Sequence, residues 1–135
     1  MKKIIFTFIL AFSITSFGAE TYLMCNGEFT DHENRNFSKS IELFFDEENK
    51  LFGMTHNWCN IQDYKYKTKL DISKTKIVYE CNAKTGVANI KQNINISRNS
   101  GKFDSSTFSK SQTNSEDTIY SEIGTGLCSI AKRKF

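Results

Sequence analysis

Proline is absent from all 135 residues, and histidine and tryptophan are nearly so, with two copies and one. Without proline, the turns fall to Gly, Asn, Asp and Ser. With His32 and His56 as the only imidazoles, chemistry that draws on several histidines is excluded. There is no Gly-x-Ser-x-Gly elbow and no glycine-rich phosphate loop. No two cysteines stand at Cys-x-x-Cys spacing, which removes the usual zinc patterns. Nor does any apolar run reach the ~20 residues that a membrane-spanning helix needs.

What is present begins at the first residues. Lys2 and Lys3 precede an apolar stretch, Ile4 to Phe12, broken only by Thr7. Ser13 to Ala19 then relaxes into small residues around Phe17. This three-part plan predicts a secretory signal over residues 1–18, cut after Gly18, and a single domain over residues 19–135. Cutting after Ala19 would place the bulky Phe17 where Ser16 otherwise stands. Lys2 and Lys3 leave with the signal, so the mature part carries one more basic than acidic side chain. A nearly neutral protein has no strong claim on nucleic acid, and no nucleic-acid partner is expected.

Cys25, Cys59, Cys81 and Cys128 all follow the signal. An even number in an exported chain predicts two disulfides, with three connectivities open. Cys25 follows Tyr-Leu-Met rather than small residues, which argues against a lipid-modified cysteine.

Two-residue alternation dominates the rest. Over Gln62 to Ile72, Tyr64, Tyr66, Thr68, Leu70 and Ile72 alternate with Asp63, Lys65, Lys67, Lys69 and Asp71. A strand puts these sets on opposite faces, one buried and one wet. Ile41, Leu43 and Phe45 share a face, as do Ile77, Tyr79 and Cys81. Ala88, Ile90, Ile94 and Ile96 do the same. Further strands are expected over Thr21 to Phe29, Leu51 to His56, Lys102 to Phe108, Thr118 to Ile123 and Gly126 to Ile130. A short helix or turn is allowed near Asn57 to Ile61. Ser109 to Asp117 reads as a polar loop. The expectation is an all-β antiparallel meander of about eight strands, forming a small barrel or a sandwich. If such a meander closes, its first and last strands become neighbours. Cys25 would then pair with Cys128, leaving Cys59 with Cys81.

Three local patterns add a resemblance. Tyr22-Leu-Met-Cys25-Asn-Gly27 opens the mature chain, and Ile96-Ser-Arg98-Asn-Ser-Gly101 forms a strand and turn. Gly126-Leu-Cys128 comes shortly before Lys132-Arg-Lys-Phe135. Together they resemble a group of small exported bacterial proteins of unassigned function. In that group the hairpin reads Ile-x-Arg-x-Thr-Gly, where this chain has Ser100. The early and late cysteines are often the group's only two, so the resemblance implies a Cys25–Cys128 pair. Cys59 and Cys81 would be additions. It further implies a periplasmic or secreted location and a β fold, and no activity.

Candidate sites are few. His56 and Cys59 have His-x-x-Cys spacing, but a metal needs three or four ligands, and no metal or other cofactor is expected. Asp46, Glu47 and Glu48 lack the glycine and terminal glutamate of a calcium loop and read as a solvated hairpin tip. Lys65, Lys67 and Lys69, with Lys74 and Lys76, could form a basic strip for an anionic glycan or acidic protein. The same lysines would also guard an exposed sheet edge, the favoured reading. Trp58 either packs over a disulfide or anchors a partner. Phe135 ends the chain as in outer-membrane barrels, but Arg133, Ala131, Ser129 and Leu127 supply no lipid-facing row, so no stable membrane insertion is expected. The leading expectation is therefore a non-catalytic domain that binds a protein or ligand of the cell envelope. His32, His56, Trp58 and the loop over Ser109 to Asp117 are its contact candidates. The alternatives are a small envelope hydrolase using His32 or His56, and a structural or assembly component of the envelope.

Overall fold

Strands with one apolar and one polar face must pair at their edges and cover the apolar face. This chain does both with one sheet. The computed structural model describes residues 20–55, 57–60, 65–114 and 117–131. The strands are β1 (Thr21–Asp31), β2 (Asn36–Asp46), β3 (Leu51–Met54), β4 (Lys65–Ile72), β5 (Lys76–Lys84), β6 (Ala88–Ser97), β7 (Lys102–Ser111) and β8 (Thr118–Ile130). They form an eight-stranded antiparallel sheet in the order β3-β2-β1-β8-β7-β6-β5-β4. Among the described residues the helical content is a single 3-10 turn, Trp58–Asn60. The expected meander is present, and the sheet curls into a nearly closed barrel rather than a sandwich.

Both disulfides are those of the closed-meander reading, Cys25–Cys128 and Cys59–Cys81. Their placement refines the expectation. β1 and β8 are hydrogen-bonded from Leu23↔Ile130 to Asp31↔Glu122, with Cys25 directly opposite Cys128. The first disulfide therefore reinforces a pair in the middle of the sheet. The gap in the barrel lies between β3 and β4, which are consecutive in the chain and not paired.

Three contacts span that gap. Phe52 of β3 stacks on Tyr79 of β5, ring centroids 4.4 Å apart. The 3-10 turn plugs it through the Cys59–Cys81 bond, with Cys59 buried. There the Asn57 side-chain oxygen accepts hydrogen bonds from the Tyr79 hydroxyl and the Cys59 amide. At the far end the Arg98 guanidinium donates to the Ser73 carbonyl at 2.7 Å and to Glu47 at 3.3 Å. It also lies over the Phe45 ring. Arg98, singled out by the hairpin motif, thus ties together the β2–β3, β4–β5 and β6–β7 turns.

The interior is filled by inward side chains of every strand, with Phe29, Phe103, Ile77, Ile94 and Ile96 almost wholly covered. Each such side chain contributes roughly 1.5–3 kcal/mol by leaving water. The two largest explain why β8 differs from expectation. Where two segments were expected, the strand runs unbroken through Gly124 and Gly126. A Cβ at Gly124 would overlap the Phe29 ring, and one at Gly126 would meet the Asn26 carbonyl and then the Phe103 ring. These glycines therefore allow close approach of backbone and aromatic rings rather than marking a turn.

Two other expectations are corrected. Ser109, Lys110 and Ser111 belong to β7 and not to a loop, since they pair with Ile90, Asn89 and Ala88 of β6. On β4 only Ile72 is buried, and Tyr66 and Thr68 are exposed although they lie on the inward side. β4 is an edge strand, and the four-residue β3 across the gap is too short to cover its first half. Tyr64 lies outside the described residues.

Candidate functional site

Because register partners share a face, the pairing of β4 to β7 determines which outward side chains become neighbours. Lys65 stands opposite Lys84, Lys84 opposite Asn89, and Asn89 opposite Lys110. The next outward row is Lys67, Asn82, Lys91 and Phe108. These two rows line a groove of about 940 Å³ on the outer face of β4 to β7. Among the described residues, no carboxylate lies within ion-pair distance of Lys65, Lys67, Lys84, Lys91 or Lys110. In the row beyond, Lys69 faces Glu80, so the unbalanced charge is confined to one end of the sheet. Asn93 borders the groove, and its buried side-chain oxygen has no hydrogen-bond partner among the described residues.

The expected lysine strip is thus half right. Lys65 and Lys67 belong to it, whereas Lys74 and Lys76 lie at the opposite end of the β4–β5 hairpin, Lys76 opposite Ser97. Their places are taken by Lys84, Lys91 and Lys110, which sequence reasoning missed. The available signal was their phase: each occupies the outward position of its own strand. Edge protection accounts for lysines on β4 but not for those on β5, β6 and β7, which have strands on both sides.

A second polar cluster points into the barrel and was also missed. Lys39 is in phase with Ile41, Leu43 and Phe45, and Glu122 with Gly124 and Gly126, so both face inward. The Lys39 ammonium donates to Glu122 at 2.7 Å and lies 5.2 Å from the centre of the Phe29 ring. The Tyr120 hydroxyl donates to the other Glu122 oxygen at 2.7 Å. Burial, and then that bond to a carboxylate, push the Tyr120 phenol up to about 12. It stays protonated at any physiological pH. The cluster locks β2 to β8 across the interior, its carboxylate satisfied on both oxygens.

The remaining candidates are separated. His32 lies in the β1–β2 turn, its ring 5.7 Å from that of Tyr120 and its Nε2 3.9 Å from Glu33. The turn is built by Asp31, whose carboxylate accepts the backbone amides of Glu33 and Arg35 and the Arg35 side chain. The Arg35 amide, followed by its guanidinium, holds the Asp31 carboxyl below the usual range. Trp58, about a third exposed, is held on another side of the barrel, its amide donating to the buried Gln92 of β6. His56 lies outside the described residues. Asp46 is not part of a solvated tip but is buried, accepting the Glu48 and Asn49 amides and the Asn49 side chain. Those bonds, Asn49's first, lower its carboxyl. Glu47 is drawn to Arg98.

No family model matches the chain, and neither does any curated protein or solved structure. Among the described residues no helix is long and apolar enough to cross a membrane, and no group of three or more His, Cys, Asp or Glu could hold a metal ion.

Proposed function

We propose that this is a small exported protein of the bacterial cell envelope, periplasmic or secreted, that binds an anionic partner without transforming it. The observation that carries the reading is the groove on β4 to β7. Five exposed lysines surround it without a carboxylate partner among the described residues, and three of them sit on strands with no edge to guard. Lys65 and Lys84 stand directly opposite one another, an arrangement that destabilises a sheet slightly unless something else offsets the repulsion. An anion laid between them does so. Export rests on the N-terminal pattern and is supported by two disulfides, which persist in oxidising compartments.

The test is backbone-amide NMR of residues 19–135 titrated with soluble anionic polymers from envelope extract at low and high salt. Shifts concentrated on β4 to β7 and suppressed by salt are expected. Shifts confined to β1 and β2, or none, would remove the groove from consideration.

A further inference from the structure

We infer that the ligand of this groove is an acidic polysaccharide, a chain of hydroxyl-rich sugars carrying carboxylates, laid across the strands. This rests on the anion-binding reading above and narrows it by three features of the lining. First, apart from the facing pair Lys65 and Lys84, successive cations along each row are separated by an amide. Lys84 and Lys110 are separated by Asn89 on β6, about two strand spacings or roughly 10 Å. Lys67 and Lys91 are separated in the same way by Asn82 on β5. A ligand matching this pattern bears spaced charges with hydrogen-bonding groups between them, as a polymer of acidic sugars does.

Second, the Asn93 side-chain oxygen is shielded and has no donor among the described residues. Carboxylates and phosphates only accept hydrogen bonds, whereas a sugar hydroxyl donates. Third, the half-buried ring of Phe108 stands in the row of Lys67 and Lys91, an apolar surface for the C–H face of a sugar. Phe108 is the single ring of these two outward rows, and Tyr66, the other aromatic lining the groove, belongs to the inward side of β4. The face thus gives no platform for successive nucleobases, which single-stranded nucleic acid requires. Nor does the face suit an acidic protein: lysine is depleted from the centres of protein interfaces, and those centres depend on well-packed aromatic or arginine anchors.

The experiment titrates residues 19–135 with four probes by calorimetry: oligogalacturonate, its methyl ester, inorganic polyphosphate and polyglutamate. Oligogalacturonate is expected to bind, and the uncharged ester to bind at least about tenfold more weakly through loss of charge-assisted contacts. The exposed pair Lys84→Gln with Lys91→Gln should lose a similar factor, while Glu28→Gln on the opposite side of the barrel changes nothing. Asn93→Ala should weaken oligogalacturonate and leave any polyphosphate binding untouched. If polyphosphate or polyglutamate binds as tightly as the sugar acid and with the same lysine dependence, the polysaccharide inference is wrong and anion binding stands. If none of the three anions binds, the anion-binding reading fails with it.

Discussion

The two sides of the barrel use the same outward positions in opposite ways. Residues 20–54, which supply β1 to β3, carry eight carboxylates against three basic side chains, while residues 65–111 carry ten basic against three acidic. On the acidic side the outward polar groups satisfy one another across the strands. Ser38 donates to Glu28 at 2.6 Å, Thr30 to Asn36 at 2.7 Å, and Ser40 to Asn26. In the two groove rows of the basic side, lysines face a lysine, amides and Phe108 instead of carboxylates. A near-zero net charge concealed this, because the sum over a chain says nothing about its distribution. Each side carries an excess of one sign, but the acidic side spends several of its outward groups on hydrogen bonds across the strands.

The largest expected effect separates the sides by their disulfides. Replacing Cys25 and Cys128 by Ser opens a loop of 103 positions and replacing Cys59 and Cys81 one of 22, for losses of about 5 and about 3 kcal/mol on loop-closure entropy. Urea midpoints of the two double variants should fall in that order. The reverse order would mean that the plug in the gap matters more to the barrel than the β1–β8 pairing.

Arg98 is where the basic side reaches the acidic one. Arg98→Ala should cost about 1–2 kcal/mol, mostly from the charge-assisted bond to the Ser73 carbonyl, since the partly exposed contact with Glu47 is worth less. Glu47→Gln should therefore lower the thermal midpoint much less than Arg98→Ala, and equal losses would refute that division.

Acid should act on one side first. Asp31 and Asp46 both have lowered carboxyl values, so their contribution is present above the ordinary aspartate value of about 3.9 and is lost as pH falls through the lower folded values. Stability should be flat from neutral pH down to about 5 and decline below about 4. Asp31→Asn with Asp46→Asn should flatten the decline, and a slope left unchanged would place the acid-sensitive groups elsewhere.

The smallest effects have opposite signs. Lys84→Gln relieves repulsion from Lys65 and should stabilise by about 0.2–0.5 kcal/mol, whereas Glu28→Gln weakens the bond from Ser38 and should destabilise by about 0.5 kcal/mol. Thermal midpoints moving the same way would erase the contrast between the two faces.

The sequence by itself determined which segments are strands and which way their side chains point. That information is local: Ile77, Tyr79 and Cys81 share a face because strand side chains alternate, whatever the neighbouring strand. It also made the cysteines a disulfide set and marked Arg98. Alternation within β8 leaves Gly124 and Gly126 ambiguous, because their role depends on Phe29 and Phe103, which face them from the two flanking strands. Only the tertiary structure decided that the gap falls between β3 and β4, that Lys39 meets Glu122 inside the barrel, and that Lys84, Lys91 and Lys110 join Lys65 and Lys67 in one groove. Each of these depends on register between strands, which backbone hydrogen bonds and shared burial set jointly across the sheet. No period within a single strand encodes it.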